Sequence, residues 1–278
     1  MLRIGYHVSI AGRVDLAFDR AREIGCTAMQ VFLSNPRGWG AKELATEEID
    51  AFRSKSRDFG ISPVLAHMTY LPNIASPNGF AYKKSLEALD FTLGRCRELG
   101  IKHLVTHLGS HLGKGNEVGF SRIVSAFSAT SGAAKGVSIL MENEAGQRNS
   151  VGSRLKDLSE IHGRVRDEVP DLDVGFCIDT CHLFEAGYDI RKAEVVGEVF
   201  DALGRANIRA IHLNDARYEL GRGLDRHENI GEGHIGTAGF RAFLNYSGVK
   251  GLPMIMETPR RSPSRDIQQI RLVKRLIK

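Results

Sequence analysis

Six short apolar runs in this chain of 278 residues each end on a side chain able to bind a metal ion. "VLAH" ends on His67, "LVTH" on His107, "ILME" on Glu142, "FCID" on Asp179, "AIH" on His212 and "MIME" on Glu257. His182 follows three residues after Asp179, and a glycine-rich stretch after His212 carries Asp225 and His227. If that stretch is extended, these two share a side. The nine are five imidazoles and four carboxylates, with no thiolate among them. Imidazole and carboxylate suit Zn2+, Mn2+ or Fe2+ in open catalytic sites, whereas a closed structural zinc usually has Cys. One zinc takes about four ligands. Nine ligands with a bridging carboxylate fit about three ions.

Taken singly, each residue has an ordinary reading. A strand-end His is commonly just hydrogen-bonded, and an Asp or Glu at a strand-to-helix junction commonly caps the helix. Six gathered without a metal would carry heavy like-charge and desolvation costs.

The elements that must position them are legible too. Strand candidates lie at 3–7, 28–32, 63–67, 103–107, 138–143, 174–179, 210–213 and 253–257. Between them run helical patterns: Leu86, Leu89, Leu93 and Cys96 in one, Leu155, Leu158, Ile161 and Val165 in another. Gly25, Gly60 and Gly100 stand where helices should close before a strand. Eight such units predict a parallel (β/α)8 TIM barrel, a single domain over 1–278. An open doubly wound sheet is the alternative, but no Gly-x-Gly-x-x-Gly follows the first strand. In a closed barrel the six strand tips share the C-terminal rim, where such barrels do chemistry.

Composition narrows the class. Hydrophobic residues make up 42% of the chain, which is enough for a sizeable core. The start is too polar for a signal peptide and no apolar run is long enough to span a bilayer. A soluble, cytoplasmic monomer is expected. Cys26, Cys96, Cys177 and Cys181 form no C-x-x-C pair and read as free, mostly buried thiols. Cys177 is expected to face the neighbouring layer rather than the strand tip. The net charge of +5 suits a polyanionic partner. The basic run Arg260, Arg261, Arg265, Arg271, Lys274, Arg275 and Lys278 reads mostly as the solvated face of a last helix.

Longer blocks carry a resemblance. "IGYHVSIAG", "HMTYL", "HLGSHLGKG", "GFCIDTCHLFEAGYD", "DRHENIGEGHIG" and "MIMETP" look like the signature blocks of endonuclease IV, and the match runs nearly end to end. That family comprises metal-dependent apurinic/apyrimidinic endonucleases of DNA base-excision repair, phosphoric diester hydrolases built on a TIM barrel with a trinuclear zinc centre. The resemblance implies one ion on His67 and His107, bridged by Glu142 to a second that also takes Asp179, His212 and Glu257. A third would sit on His182, Asp225 and His227. Zn2+ is the implied metal, with Mn2+ or Fe2+ alternatives at some sites. The implied reaction cuts duplex DNA 5′ to an abasic site, with a metal-bound hydroxide near Glu142 as nucleophile. It leaves a 3′-hydroxyl and a 5′-deoxyribose phosphate. Members of the family insert side chains into the duplex, and Arg37, Trp39, Tyr70 and Leu71 on rim loops are the DNA-binding candidates here.

His111 and Lys114 are read as orienting a ligand or touching phosphate, with a structural role equally open for His111, and His7 is read as a supporting or core histidine. The chain departs from the family pattern at three places. Gly12-Arg13 replaces a Gly-Gly pair, "NPRGW" lacks a common Gln, and "ENEAG" has Glu144 where Thr is common. Two rival readings share the barrel. A single-metal sugar isomerase or epimerase of the xylose-isomerase-like type would need only Glu142, Asp179, His212 and Glu257. A non-catalytic binder of damaged DNA would be expected to have lost ligands.

Overall fold

The computed structural model describes residues 2–36, 38–40 and 42–278. Eight parallel strands form its centre: β1 (Ile4–Tyr6), β2 (Met29–Phe32), β3 (Val64–His67), β4 (His103–Thr106), β5 (Ser138–Glu142), β6 (Val174–Asp179), β7 (Ile208–His212) and β10 (Met254–Met256). Their order around the sheet is β1-β10-β7-β6-β5-β4-β3-β2. A parallel bridge between His7 and Gln30 completes the ring, with the Val8 N–H donating to the Gln30 carbonyl at 2.8 Å. The predicted TIM barrel is therefore the observed one. Its strands are apolar nearly throughout, as strands covered on both faces must be.

Helices α1 (Leu16–Glu23), α2 (Thr46–Asp58), α3 (Gly79–Leu99), α4 (Asn116–Thr130), α5 (Leu155–Glu168), α7 (Ala193–Leu203), α8 (Gly236–Leu244) and α9 (Pro263–Leu276) connect the strands. The helical patterns hold. Leu89, Leu93 and Cys96 of α3 and Leu155, Leu158, Ile161 and Val165 of α5 are buried against the barrel, at roughly 1.5–3 kcal/mol for each large aliphatic side chain. α3 starts where the Asn78 side chain accepts the Ala81 N–H at 3.0 Å. It ends on Gly100 at φ 75°, a left-handed conformation that favours glycine. Three short elements were not foreseen. A short helix, α6 (Thr180–Glu185), leaves β6 directly, and β8 (Asp215–Ala216) pairs antiparallel with β9 (His227–Glu228).

The interior is layered by strand alternation. Ala28, Leu65, Val105, Leu140, Cys177, Ala210 and Ile255 form one apolar cluster inside the barrel. On each strand the residue two positions further on faces the same way. That step leads to Gln30, His67, His107, Glu142, Asp179, His212 and Glu257. Cys177 was expected to face the neighbouring layer rather than the strand tip, and it lies in the apolar interior layer directly below Asp179. The cause is the period of two, which puts residues 177 and 179 on one face. β1 conforms as well, with Gly5 below His7. A Cβ on Gly5 would lie 1.8 Å from the Ala28 carbonyl oxygen, so glycine permits β1 and β2 to close the ring. All four cysteines are free and buried. Among the described residues no helix is long and apolar enough to cross a membrane.

Candidate metal centre

The C-terminal rim gathers all nine residues singled out from the sequence. Glu142, at the end of β5, is fully buried and lies at their middle. Its Oε2 is 3.1 Å from His67 Nε2 and 3.4 Å from His107 Nε2, while Oε1 is 2.7 Å from His212 Nδ1. His212 Nδ1 also lies 3.3 Å from Glu257 Oε2 and 3.9 Å from Asp179 Oδ2. Asp179 pairs in register with His212 across β6 and β7. Asp225 Oδ1 is 3.2 Å from His182 Nε2 and 3.4 Å from His227 Nε2.

Ligand-type atoms within 4.8 Å of one another form the sets His67–His107–Glu142, Glu142–Asp179–His212–Glu257 and His182–Asp225–His227. Glu142 belongs to two of them. His107 and Glu257 fall just past the ends of β4 and β10, and His182 is carried by α6. Asp225 and His227 converge as expected, because β9 is tied back against β8 beside the rim. Two further sets, His67–His212–Glu257 and Asp179–Cys181–His227, overlap these.

The donor set fits metal ions at the level of individual nitrogens. Each imidazole has one nitrogen held from behind and the other turned inward. His67 Nδ1 donates to the Met68 carbonyl at 2.5 Å, His182 Nδ1 to the Asn143 carbonyl at 2.8 Å and His227 Nδ1 to the Glu257 carbonyl at 3.3 Å. His107 Nδ1 meets Glu144 Oε1 at 2.9 Å, and His212 Nε2 meets Gln30 Oε1 at 2.9 Å. Such outer bonds fix the tautomer, so that each ring when neutral presents its lone pair on the inner nitrogen. Among the described residues His182 Nε2 and His227 Nε2 are buried with no hydrogen-bond partner, and Asp225 meets them only as an ion-pair neighbour. Orphaned buried nitrogens are costly, and a cation among them removes the cost.

Charge separation in the cluster is strong. Burial pushes Glu142 upward, but the His212 and His107 imidazoles outweigh it and hold the carboxylate well below its usual range. Burial likewise opposes ionisation of Glu257 and Asp225. Chiefly His212 overcomes it at Glu257, and His182 at Asp225. Burial pushes His107 down, yet Glu142 and Glu144 carry it up to about 10. His182 and His212 are raised by their acidic neighbours against the same burial. The carboxylates form a negative cage that favours cations, whether protons or metals.

Several supporting residues escaped the reading of the sequence. Gln30 donates from Nε2 to Glu257 Oε1 at 2.7 Å while accepting from His212. Asn214 donates to Asp179 Oδ2 at 2.7 Å and accepts the Glu257 N–H at 2.7 Å. Asp215 accepts backbone N–H groups from Gly231, Gly233 and Ile235 and so folds the glycine-rich loop over the rim. A signal did exist, since Gln30 is the polar residue in "MQVF" and Asn214 lies two past His212. His7 supports the site as expected, with Nδ1 3.2 Å from Glu257 Oε1. His111 has a structural task, its Nδ1 accepting the Gly115 N–H at 3.0 Å. Lys114 is exposed on the same loop.

A cleft of about 420 Å3 opens above the rim, walled by Tyr6, Phe32, Tyr70, Arg226 and Arg260. Tyr70 is 69% exposed, and its ring meets Phe32 edge-on at 5.3 Å. Leu71 beside it is exposed. Trp39 is half-exposed over a neighbouring hollow with Thr69 and Phe91. Arg37 lies outside the described residues. Arg260 is not on a solvated helix face. It bonds Asp266, lies over Tyr6 and reaches the cleft. Arg265 pairs with Glu232, and Arg261, Arg271, Lys274, Arg275 and Lys278 are exposed.

The family model for xylose isomerase-like TIM barrels matches residues 18–276. A protein named probable endonuclease 4 from Methanoculleus marisnigri is 47% identical over 281 aligned residues, covering 98% of each chain. Another of that name from Cenarchaeum symbiosum is 44% identical over 99% of each. The crystal structure of endonuclease IV from Thermus thermophilus superposes with a TM-score of 0.86 at 32% identity, covering 99% of this chain and 98% of that one.

Proposed function

The chain belongs to the endonuclease IV family, and from that premise we propose that it is a metal-dependent DNA-repair nuclease. It hydrolyses the phosphodiester 5′ to an abasic site in duplex DNA and leaves a 3′-hydroxyl and a 5′-deoxyribose phosphate. The observation that carries this reading is the overlap of three ligand sets on one rim, two of them sharing Glu142.

In this reading His67, His107 and Glu142 hold one ion, Glu142, Asp179, His212 and Glu257 a second, and His182, Asp225 and His227 a third. Zinc is the first choice, with Mn2+ or Fe2+ as alternatives. Bound there, the ions would lower the pKa of a water and draw negative charge from the phosphate and the leaving oxygen. Four ligand carboxylates offset only part of the charge of three divalent ions, so the loaded centre is cationic and suits an anionic phosphate.

The protein's own groups orient the rest. The far-side bonds of the five imidazoles hold their inner nitrogens in place without rearrangement. Arg226 and Arg260 in the cleft walls meet phosphate oxygens. An abasic site offers no base to read, so recognition rests on backbone contacts and deformability. Tyr70 and Leu71 enter the duplex as a wedge, with Trp39 as a further DNA contact. Unstacking costs a few kcal/mol, least where a base is already missing.

A one-metal sugar isomerase would leave His67, His107, His182, Asp225 and His227 without a task. The test is a labelled duplex carrying one tetrahydrofuran abasic analogue, with intact duplex and chelator-treated protein alongside. The expected result is one chelator-sensitive cut on the 5′ side, leaving an end that a polymerase extends. Absence of that cut from protein shown to hold its metals overturns the reading.

A further inference from the structure

The outer partners of the five rim imidazoles are unequal. Four are neutral oxygens, from the carbonyls of Met68, Asn143 and Glu257 and the amide of Gln30. The fifth is the carboxylate of Glu144, 2.9 Å from His107 Nδ1. His107 also differs in its surroundings. Its side chain is 28% exposed, against 3% for His67, 2% for His182, none for His212 and 16% for His227. All five rings are held by an outer hydrogen bond, and His107, the most exposed of them, is the one whose outer partner is charged.

Glu144 is built for the task. It lies two residues past Glu142, so an extended chain turns both carboxylates to one side. They address opposite nitrogens of one ring, Glu142 Oε2 at 3.4 Å from Nε2 and Glu144 Oε1 at 2.9 Å from Nδ1. The Glu144 side chain is only 8% exposed, and its backbone N–H is tied to the Gly152 carbonyl at 3.2 Å. An ionised acceptor makes a stronger bond than a neutral one, and it makes the far nitrogen more electron-rich.

We propose that Glu144 is a positioning residue acting through His107: it accepts the Nδ1 hydrogen, holds Nε2 toward Glu142, and tightens the ion shared by His67, His107 and Glu142. The inference rests on the metal-centre reading above. Loss of an outer partner of this kind typically lowers metal affinity by about 10- to 100-fold.

The experiment titrates metal-free protein with Zn2+ against a competing chelator, for wild type, Glu144→Gln, Glu144→Ala and His107→Ala. Glu144→Gln keeps an acceptor of the same shape and loses the charge. It is expected to weaken one ion about 10-fold or more, the same ion that His107→Ala removes, and to leave the others unchanged. Glu144→Ala should weaken that ion further. Zinc-loaded protein with 15N-labelled histidine supplies a second readout. The His107 Nδ1 hydrogen should resonate far downfield in wild type, move upfield in Glu144→Gln and be lost to solvent exchange in Glu144→Ala. Equal affinities in wild type and both Glu144 variants, or weakening of an ion that His107→Ala leaves in place, overturns the proposal. Fewer than three ions on wild type defeats the trinuclear reading by itself. Glu144 is then still judged by whether its variants weaken the ion that depends on His107.

Discussion

Asp179 accepts the backbone N–H of His182 at 2.8 Å, so one rim carboxylate caps the short helix that carries another rim residue. Helix capping and metal-ligand geometry are usually offered as competing explanations for an acidic residue at a strand end. Here one side chain has both. The Oδ1 atom caps α6, and Oδ2 faces the Asn214 amide, His212 and His227.

That dual position predicts a stability effect without metal. Asp179→Ala should destabilise the chelator-treated protein by about 2–4 kcal/mol, from a lost cap and an unpaired buried Asn214 donor. Urea melts of the metal-free proteins measure it. A change under about 0.5 kcal/mol, the range of an indifferent surface substitution, would show that the cap does not persist without metal.

Glu142→Gln should reduce cleavage by more than about 100-fold, the upper end for residues that only support a ligand, while binding to abasic duplex partly survives. Steady-state cleavage and fluorescence anisotropy separate the two. Cleavage at the wild-type rate would remove Glu142 from its bridging place.

Tyr70→Ala should weaken binding to abasic duplex more than binding to intact duplex, by about 1–3 kcal/mol if the ring stacks on a base. Paired titrations decide the matter, and an equal loss on both duplexes would argue against a wedge.

Metal uptake should expel protons. Burial opposes protonation of His107, but Glu142 and Glu144 hold it at about 10, and His182 and His212 are raised by their acidic neighbours. These upward shifts favour the protonated rings in the metal-free protein, and a metal needs them neutral. Affinity should therefore rise with pH toward about 10. The stability that His107 lends the metal-free fold is full below its unfolded pKa of about 6.5 and is lost as pH rises through about 10. Calorimetric Zn2+ titrations in buffers of different ionisation enthalpy count the protons, and zero release at pH 7 would contradict the caged-imidazole picture.

Gly5→Ala should block ring closure, because its Cβ would lie 1.8 Å from the Ala28 carbonyl oxygen. A loss of about 3 kcal/mol or more, at the top of the range for overpacking, is expected. A thermal melt like that of the wild type would mean that β1 and β2 can part at little cost.

Much of this protein is written in local spacing. Alternation of period two within short apolar runs predicts a strand, and the last residue of each run predicts what reaches the rim. Helical spacing of Leu155, Leu158, Ile161 and Val165 predicts the face that α5 buries. These signals survive because each depends on residues a few positions apart. By the same alternation Gln30 and Cys177 were legible as interior residues, Gln30 two past Ala28 and Cys177 two before Asp179. Gln30 was passed over because its run continues to Phe32 instead of ending on it.

What the tertiary structure alone decided is who stands beside whom around the ring. Gln30 and Glu257 are 227 residues apart and bonded at 2.7 Å, and no local pattern encodes that neighbour. The inward nitrogen of each ring is decided in the same way. His212 turns Nδ1 to the centre because Gln30, from a distant strand, holds its Nε2, while His67 turns Nε2 inward because its own next carbonyl holds Nδ1. Residue types along the strands determined that this rim could bind metal ions. Closure of the barrel decided which atoms face them, because hydrogen-bond partners across a ring are set by the closing of strands and not by distance along the chain.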